Sequence, residues 1–200
     1  MNTARTLLAS LALIAFALPA AAEKLSLAEL SRYLNSLGTA EAAFTQTNAD
    51  GSQATGTLFI KRPGRARFEY APPETSLVMA GGGQVAIFDA KSNQPPEQYP
   101  LRRTPLNLIL AEKVNLGQAK MVVGHGEVGD TTRVVAQDPK NPEYGTIELV
   151  FTANPTTLRQ WIITDDSGSQ TTVDLSTLKT GIPLSAFLFD ISAEREKRSR

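Results

Sequence analysis

The feature that most constrains the fold is an alternation of apolar and polar residues with a period of two, which runs from Ala43 almost to the end of the chain. It is divided into short segments by turn-forming residues, among them Asp50-Gly51 and Asn154-Pro155. Alternation predicts half-buried strands, and short connections predict antiparallel neighbours. About eleven strands at this spacing are typical of a barrel or a strongly curved sheet. The predicted strands span residues 44–48, 55–62, 65–70, 76–80, 84–89, 98–103, 119–123, 131–137, 146–152, 158–164 and 170–177.

Two segments depart from this period and predict helices. Ser26 and Glu29 have the spacing of a capping box, and the leucines that follow recur at helical spacing until Gly38. The second segment is "LNLIL", which follows Thr104-Pro105, a predicted N-cap with proline in the first turn. A helix this apolar must be buried or must cover an apolar surface. We therefore predict a mainly β fold, an incomplete curved antiparallel barrel with helices covering its apolar concave face.

The first 22 residues have the pattern of a cleaved secretory signal peptide. Arg5 precedes an apolar stretch from Leu7 to Leu18, and small alanines follow. That stretch is shorter than the roughly 20 residues that span a bilayer. We expect a single domain over residues 23–190, and we expect the charged tail at 191–200 to be disordered. The chain contains no cysteine, which excludes disulfides and a cysteine-linked lipid anchor, so we expect an unanchored periplasmic protein.

Charge and residue inventory argue against several classes of function. The chain has 20 acidic and 20 basic residues, whereas nucleic-acid binders normally have a basic excess. His125 is the one histidine and no serine lies in a GxSxG motif, so neither a catalytic triad nor a metal site is indicated, and we expect this histidine at a loop or strand end. We expect a protein that is not an enzyme and that uses no cofactor or metal.

The remaining candidate for function is apolar surface. In the strand that contains Leu58 and Ile60, alternation places both on one face and Arg62 at the end of their row. Apolar composition alone leaves open whether the concave side is a filled core or a ligand cavity. The candidates for lining a cavity are Leu34, Phe44, Leu58, Ile60, Phe68, Tyr70, Val78, Val85, Ile87, Leu106, Ile109 and Leu110.

The order of these motifs resembles the LolA family of periplasmic carriers of outer-membrane lipoproteins. The resemblance extends from about Leu27 to Phe189, and its markers are "AAFTQT", "GTLFIKRPGRARFEY", "PPETSLVMAGGGQVAIFD" and "TPLNLIL". It implies a monomeric carrier that shields the acyl chains of a lipoprotein in a hydrophobic cavity. It also implies three partners: the acylated cargo, an inner-membrane ABC transporter of the LolCDE type, and an outer-membrane receptor of the LolB type where one exists. The missing anchor cysteine excludes LolB itself.

The resemblance also assigns roles to particular residues. The arginine that matches Arg62 holds the lid helices closed through their backbone carbonyls, so the resemblance implies a latch at this position. We expect Arg65 and Arg67 to face solvent. Ala66 stands where the family has a large aromatic residue, and Phe187 is kept while the usual proline-containing C-terminal segment and final strand are missing. The alternatives are an envelope assembly or lipid-sensing module that carries no lipoprotein, and a lipid hydrolase.

Overall fold

The part of the chain that the structure describes forms a single antiparallel sheet with three α-helices. The computed structural model of the chain describes residues 24–92 and 94–199, so the expected signal peptide at 1–22 lies outside the described residues. Within that part, the strands are β1 Thr39–Thr47, β2 Gln53–Lys61, β3 Ala66–Tyr70, β4 Leu77–Gly81, β5 Gln84–Phe88, β6 Glu97–Pro100, β7 Val122–Val128, β8 Thr131–Gln137, β9 Thr146–Thr152, β10 Thr157–Thr164, β11 Gln170–Leu175 and β12 Lys179–Thr180.

The sheet curls without closing. Its strand order is β6-β5-β4-β3-β2-β1-β11-β10-β9-β8-β7, and the short β12 pairs with β1. The long pairing of β1 with both β2 and β11 brings the two halves of the chain side by side, and β6 and β7 remain as the two edges. This confirms the prediction of an incomplete antiparallel barrel. The two-residue β12 was missed because so short a strand has no visible alternation.

Helix α1, Leu27–Ser36, begins where the capping pattern predicts. Ser26 Oγ accepts a hydrogen bond from the Glu29 N–H at 3.2 Å. The reciprocal half of a capping box is absent, because the Glu29 carboxylate instead accepts from Thr156 Oγ1 at 2.9 Å. Leu30 and Leu34 are fully buried against the concave side of the sheet.

Helix α2, Asn107–Leu110, is buried as its apolar sequence predicts, and Ile109 and Leu110 belong to the main core. Its N-terminus differs from the prediction, because Leu106 occupies the N-cap position and Thr104 Oγ1 donates to the Leu101 carbonyl at 2.8 Å. The strand predicted at 98–103 ends at Pro100, and a 3-10 helix over Leu101–Arg103 leads into α2.

The strand predicted at 119–123 was placed too early, since β7 spans Val122–Val128. Glycines at 124 and 126 favour a turn in the sequence, but both lie within the strand. A register shift falls between Val122 and Gly124. A Cβ at Gly124 would lie 3.2 Å from the Val135 side chain, so the glycine allows close packing of two neighbouring strands.

The C-terminal residues correct a prediction, because 191–198 form helix α3, Ile191–Arg198, instead of a disordered tail. Asp190 caps this helix by accepting from the Ala193 N–H at 3.0 Å. Ile191 packs against a small cluster on the convex face of the sheet, formed by Leu77, Met79, Ala86 and Phe88. The charged composition concealed this contact, since most of the anchoring apolar surface belongs to the sheet.

Candidate ligand cavity and its helical lid

A cavity of about 760 Å³ opens between the concave face of the sheet and the segment that enters α2. Its apolar lining comes from β3, β4, β5, β10 and β11, and Pro105 and Leu106 contribute from above. Six of the residues predicted to line a cavity do so: Phe68, Tyr70, Val78, Val85, Ile87 and Leu106.

The other six predicted residues lie deeper. They are packed in the main core between the sheet and the two helices, and each is 5% exposed or less. These residues, which do not line the open cavity, are Leu34, Phe44, Leu58, Ile60, Ile109 and Leu110. These residues form a layer next to the cavity, between the sheet and helices α1 and α2. We call α1 and α2 together the helical lid.

Aromatic rings form the wall between the cavity and this deeper layer. Phe68 lies edge to face with Phe44 and with Trp161, at centroid distances of 5.6 Å and 6.2 Å. Trp161 is the one tryptophan of the chain, and sequence reasoning missed it as a site residue although it lies on a predicted strand. Edge-to-face packing of this kind holds large side chains in fixed orientations.

A glycine creates the space for this arrangement. In the pairing of β1 with β2 and of β2 with β3, Gly56 lies between Phe44 and Tyr70. A Cβ at Gly56 would lie 2.8 Å from the Phe44 ring and 2.2 Å from the Glu69 carbonyl oxygen. Because glycine has no Cβ, the rings of Phe44 and Tyr70 can pack together, with a distance of 5.2 Å between their centroids.

The wall also holds one hydrogen-bonded polar pair. The Tyr70 hydroxyl donates to Gln46 Oε1 at 2.7 Å, and both side chains line the cavity. Burial raises the pKa of Tyr70 to about 12, so its hydroxyl stays protonated at physiological pH.

The rim of the cavity is polar and mainly acidic, with Glu97, Asp165 and Asp166 set against one cation, Arg103. The Arg103 guanidinium lies 5.8 Å from the ring centroid of Tyr144, a cation–π contact. Hydrogen bonds from Ser167 lower the pKa of Asp165, which therefore remains ionised.

Arg62, directly after β2, binds both helices of the lid. Its guanidinium donates to the Leu34 carbonyl in the last turn of α1 and, at 2.5 Å, to the Ala111 carbonyl at the end of α2. Carbonyls at helix C-termini carry partial negative charge that favours a cation. The Leu34 carbonyl accepts from the Leu37 N–H as well, at 3.3 Å. Asn35 adds a second link, because it donates to the Val114 carbonyl at 2.8 Å and accepts from the Val114 N–H at 2.9 Å.

Arg67 corrects the prediction that it faces solvent. It lies on the convex face, is 7% exposed, and forms an ion pair with Glu194 of α3 at 3.2 Å. It also pairs with Glu69 at 2.6 Å and donates to the Leu188 carbonyl at 3.2 Å. A buried partner from a helix more than a hundred residues away leaves no signal near the arginine in sequence. Arg65 is partly exposed.

The remaining predicted features lie apart from the cavity. The prediction that His125 lies at a loop or strand end was wrong, because it is partly buried in the middle of β7, where Nε2 lies 2.9 Å from the Leu25 carbonyl oxygen. Ala66 is buried in the core, and it pairs with Ile60 on one side and Ala80 on the other. Across residues 24–92 and 94–199, no cluster of three or more acidic or histidine side chains could hold a metal ion. No helix in that part is long and apolar enough to cross a bilayer.

An unclosed antiparallel sheet with two helices fastened to its concave side, next to an apolar cavity with a charged rim, defines a class of protein, the lidded half-barrel. The family model described as "Outer membrane lipoprotein carrier protein LolA" matches residues 35–192, and the chain belongs to this family.

Relatives are similar in sequence to nearly the whole chain. An outer-membrane lipoprotein carrier protein of Coxiella burnetii is 25% identical, over 98% of this chain and 97% of the relative. One from Pseudomonas aeruginosa is 27% identical, over 96% of each. Among solved structures, a LolA superfamily protein from Nitrosomonas europaea is 12% identical with a TM-score of 0.42, over 83% of this chain and 98% of that one.

Proposed function

We propose that this protein carries outer-membrane lipoproteins through the periplasm and shields their acyl chains under the helical lid. The observation that carries the proposal is an apolar cavity covered by the segment that enters α2, next to two helices whose C-terminal carbonyls Arg62 joins to the end of β2. Membership of the lipoprotein carrier family supports the same function. The activity is binding and release, without catalysis.

The energetics of an acyl chain explain why a carrier is needed. Each CH₂ group exposed to water costs about 0.8 kcal/mol, so a long acyl chain does not leave a membrane unaided at a useful rate. The resting cavity of about 760 Å³ is within the range that holds one drug-sized molecule. Several acyl chains need more room, so the lid must move away from the sheet to admit them.

Movement of the lid would break the Arg62 hydrogen bonds to Leu34 and Ala111. The free energy of closing the lid then opposes cargo binding, which keeps affinity moderate and allows release. We propose this latch role for Arg62. The open lid would expose the six deeper predicted residues, which would extend the acyl-binding surface beyond the resting cavity.

We propose an inner-membrane ABC transporter of the LolCDE type as donor and, where one exists, an outer-membrane receptor of the LolB type as acceptor. The carrier would act as a monomer released into the periplasm after removal of residues 1–22.

Native mass spectrometry of protein purified from periplasm tests the function. A co-expressed triacylated lipoprotein should form a one-to-one complex with the carrier. The control is the same cargo with its acylated cysteine replaced by serine, which should give no complex. A bare protein in both samples would overturn the carrier function and favour the assembly module.

A further inference from the structure

The polar pair Gln46 and Tyr70 is unusual because of where it lies. Both side chains are partly buried and line the cavity together with Phe68, Val173 and Trp161. For a cavity that held only hydrocarbon, leucine and phenylalanine would fill the same space without the cost of partly desolvating an amide and a hydroxyl.

The sheet is built to bring these two residues together. Gln46 is on β1 and Tyr70 is on β3, so β2 lies between them. On the same face of β2, Ala54 pairs with Gln46 and Gly56 pairs with Tyr70. Two small residues therefore leave the gap across which the Tyr70 hydroxyl reaches Gln46 Oε1 at 2.7 Å.

The Gln46–Tyr70 pair can form further hydrogen bonds. Gln46 Nε2 carries two hydrogens, and one is donated to Asn48 Oδ1 at 2.7 Å. Its second hydrogen has no acceptor among residues 24–92 and 94–199. The Tyr70 hydroxyl can also turn from Gln46 to a ligand acceptor. The wall thus presents donors, and no cation, to whatever enters the cavity.

We infer that Gln46 and Tyr70 form a carbonyl-recognising site, which selects acyl esters and amides over alkyl chains that lack a carbonyl. This inference rests on the proposed function and assigns the site to the neutral ester carbonyls of the lipoprotein's own acyl groups. A free fatty acid also accepts hydrogen bonds, but Glu97, Asp165 and Asp166 at the rim repel its carboxylate.

The test measures displacement of the neutral fluorescent probe N-phenyl-1-naphthylamine by methyl laurate and by dodecyl methyl ether, which has the same length and no carbonyl. The wild-type protein should bind the ester about five-fold more tightly, the effect of one net hydrogen bond. Tyr70→Phe and Gln46→Leu should each reduce this preference toward about one, and neither should weaken ether binding.

Gln160→Leu is the matched control. The Gln160 amide donates to Asp174 at 2.7 Å in an exposed pair outside the cavity, so its loss should leave the ester preference intact. Laurate should bind less tightly than methyl laurate at low salt. Equal affinity for ester and ether in the wild type, or a preference that survives both cavity variants, would overturn the inference while leaving the carrier function standing. Failure of both ligands to displace the probe would overturn the two together.

A final experiment distinguishes the two natural sources of an ester carbonyl, lipoprotein and phospholipid. A dilauroylglyceryl-cysteine peptide should displace the probe from the wild type more effectively than dilauroyl phosphatidylethanolamine does. Equal displacement would overturn the assignment to lipoprotein and make phospholipid the source of the carbonyl.

Discussion

Replacing Glu194 by glutamine should loosen the C-terminal helix from the back of the cavity wall. Glu194 Oε2 lies 3.2 Å from the Arg67 guanidinium, and the two side chains are 10% and 9% exposed. Phe68, the next residue of β3, lines the cavity on the opposite face. The substitution keeps the shape of the side chain and removes its charge, so it leaves Arg67 buried without its full partner.

The structure sets the expected size of the effect. Breaking a buried ion pair from one side costs about 3–5 kcal/mol. Arg67 keeps a second carboxylate, Glu69, at 2.6 Å, although that side chain is 43% exposed and shields the charge only partly. We therefore expect a loss of about 2–3 kcal/mol in the free energy of unfolding. Changing both partners to methionine should recover most of it, because no charge then stays buried.

Urea unfolding followed by the fluorescence of Trp161, the one tryptophan and 1% exposed, measures this change. Glu41→Gln is the control, because its ion pair with Lys179 at 3.6 Å is at the surface, and it should cost less than about 1 kcal/mol. A Glu194→Gln protein as stable as the wild type would refute the reasoning.

The Glu194 carboxylate should also make the stability of the fold depend on pH. Burial opposes ionisation of Glu194, but the hydrogen bond from Arg198 and the charge of Arg67 outweigh it, and the pKa falls below its ordinary value of 4.5. The group therefore stabilises the fold fully above pH 4.5 and loses this contribution as pH falls through the lowered pKa. The stability difference between wild type and Glu194→Gln should shrink in that acidic range, and a constant difference would contradict the assignment.

Three further substitutions test the cavity and lid. Arg62→Leu removes the hydrogen bonds that close the lid, which together contribute about 2 kcal/mol, so acylated cargo should bind up to about 30-fold more tightly. If the variant released lipoprotein from inner membranes as the wild type does, Arg62 would not be a latch. Phe68→Glu places a charge in the cavity and should abolish probe binding while circular dichroism stays native, and normal binding would move the ligand site elsewhere. Gly56→Ala should cost at least about 2 kcal/mol in urea unfolding, because its Cβ would lie 2.2 Å from a carbonyl oxygen. Gly38→Ala, which meets nothing within 4 Å, is its control.

The sheet was predictable because its signal is local. Alternation along β8 and β9 records which face of each strand is buried, and the predicted bounds of both strands match the structure. The same holds for α1, whose cap and leucine spacing lie within one short segment. The prediction failed at β7, where a glycine that allows close packing of strands, Gly124, has the same appearance in the sequence as a glycine in a turn.

For the candidate site, the sequence identified the apolar positions but not their depth. Phe68 and Phe44 are both aromatic residues on predicted strands, yet the first lines the cavity and the second lies beneath it. Whether each ring lines the cavity or lies in the core depends on how closely α1 and α2 pack against the sheet. No local sequence pattern encodes that packing.

By itself, the sequence determined an antiparallel sheet, two helices and an apolar row that ends in Arg62, because each of these is encoded in the spacing of neighbouring residues. Only the tertiary structure decided that Arg67 is buried against Glu194 and that Tyr70 reaches Gln46 across two small residues. Both contacts join residues far apart in the chain, and a long-range partner is chosen by the packing of the whole sheet instead of by the sequence on either side.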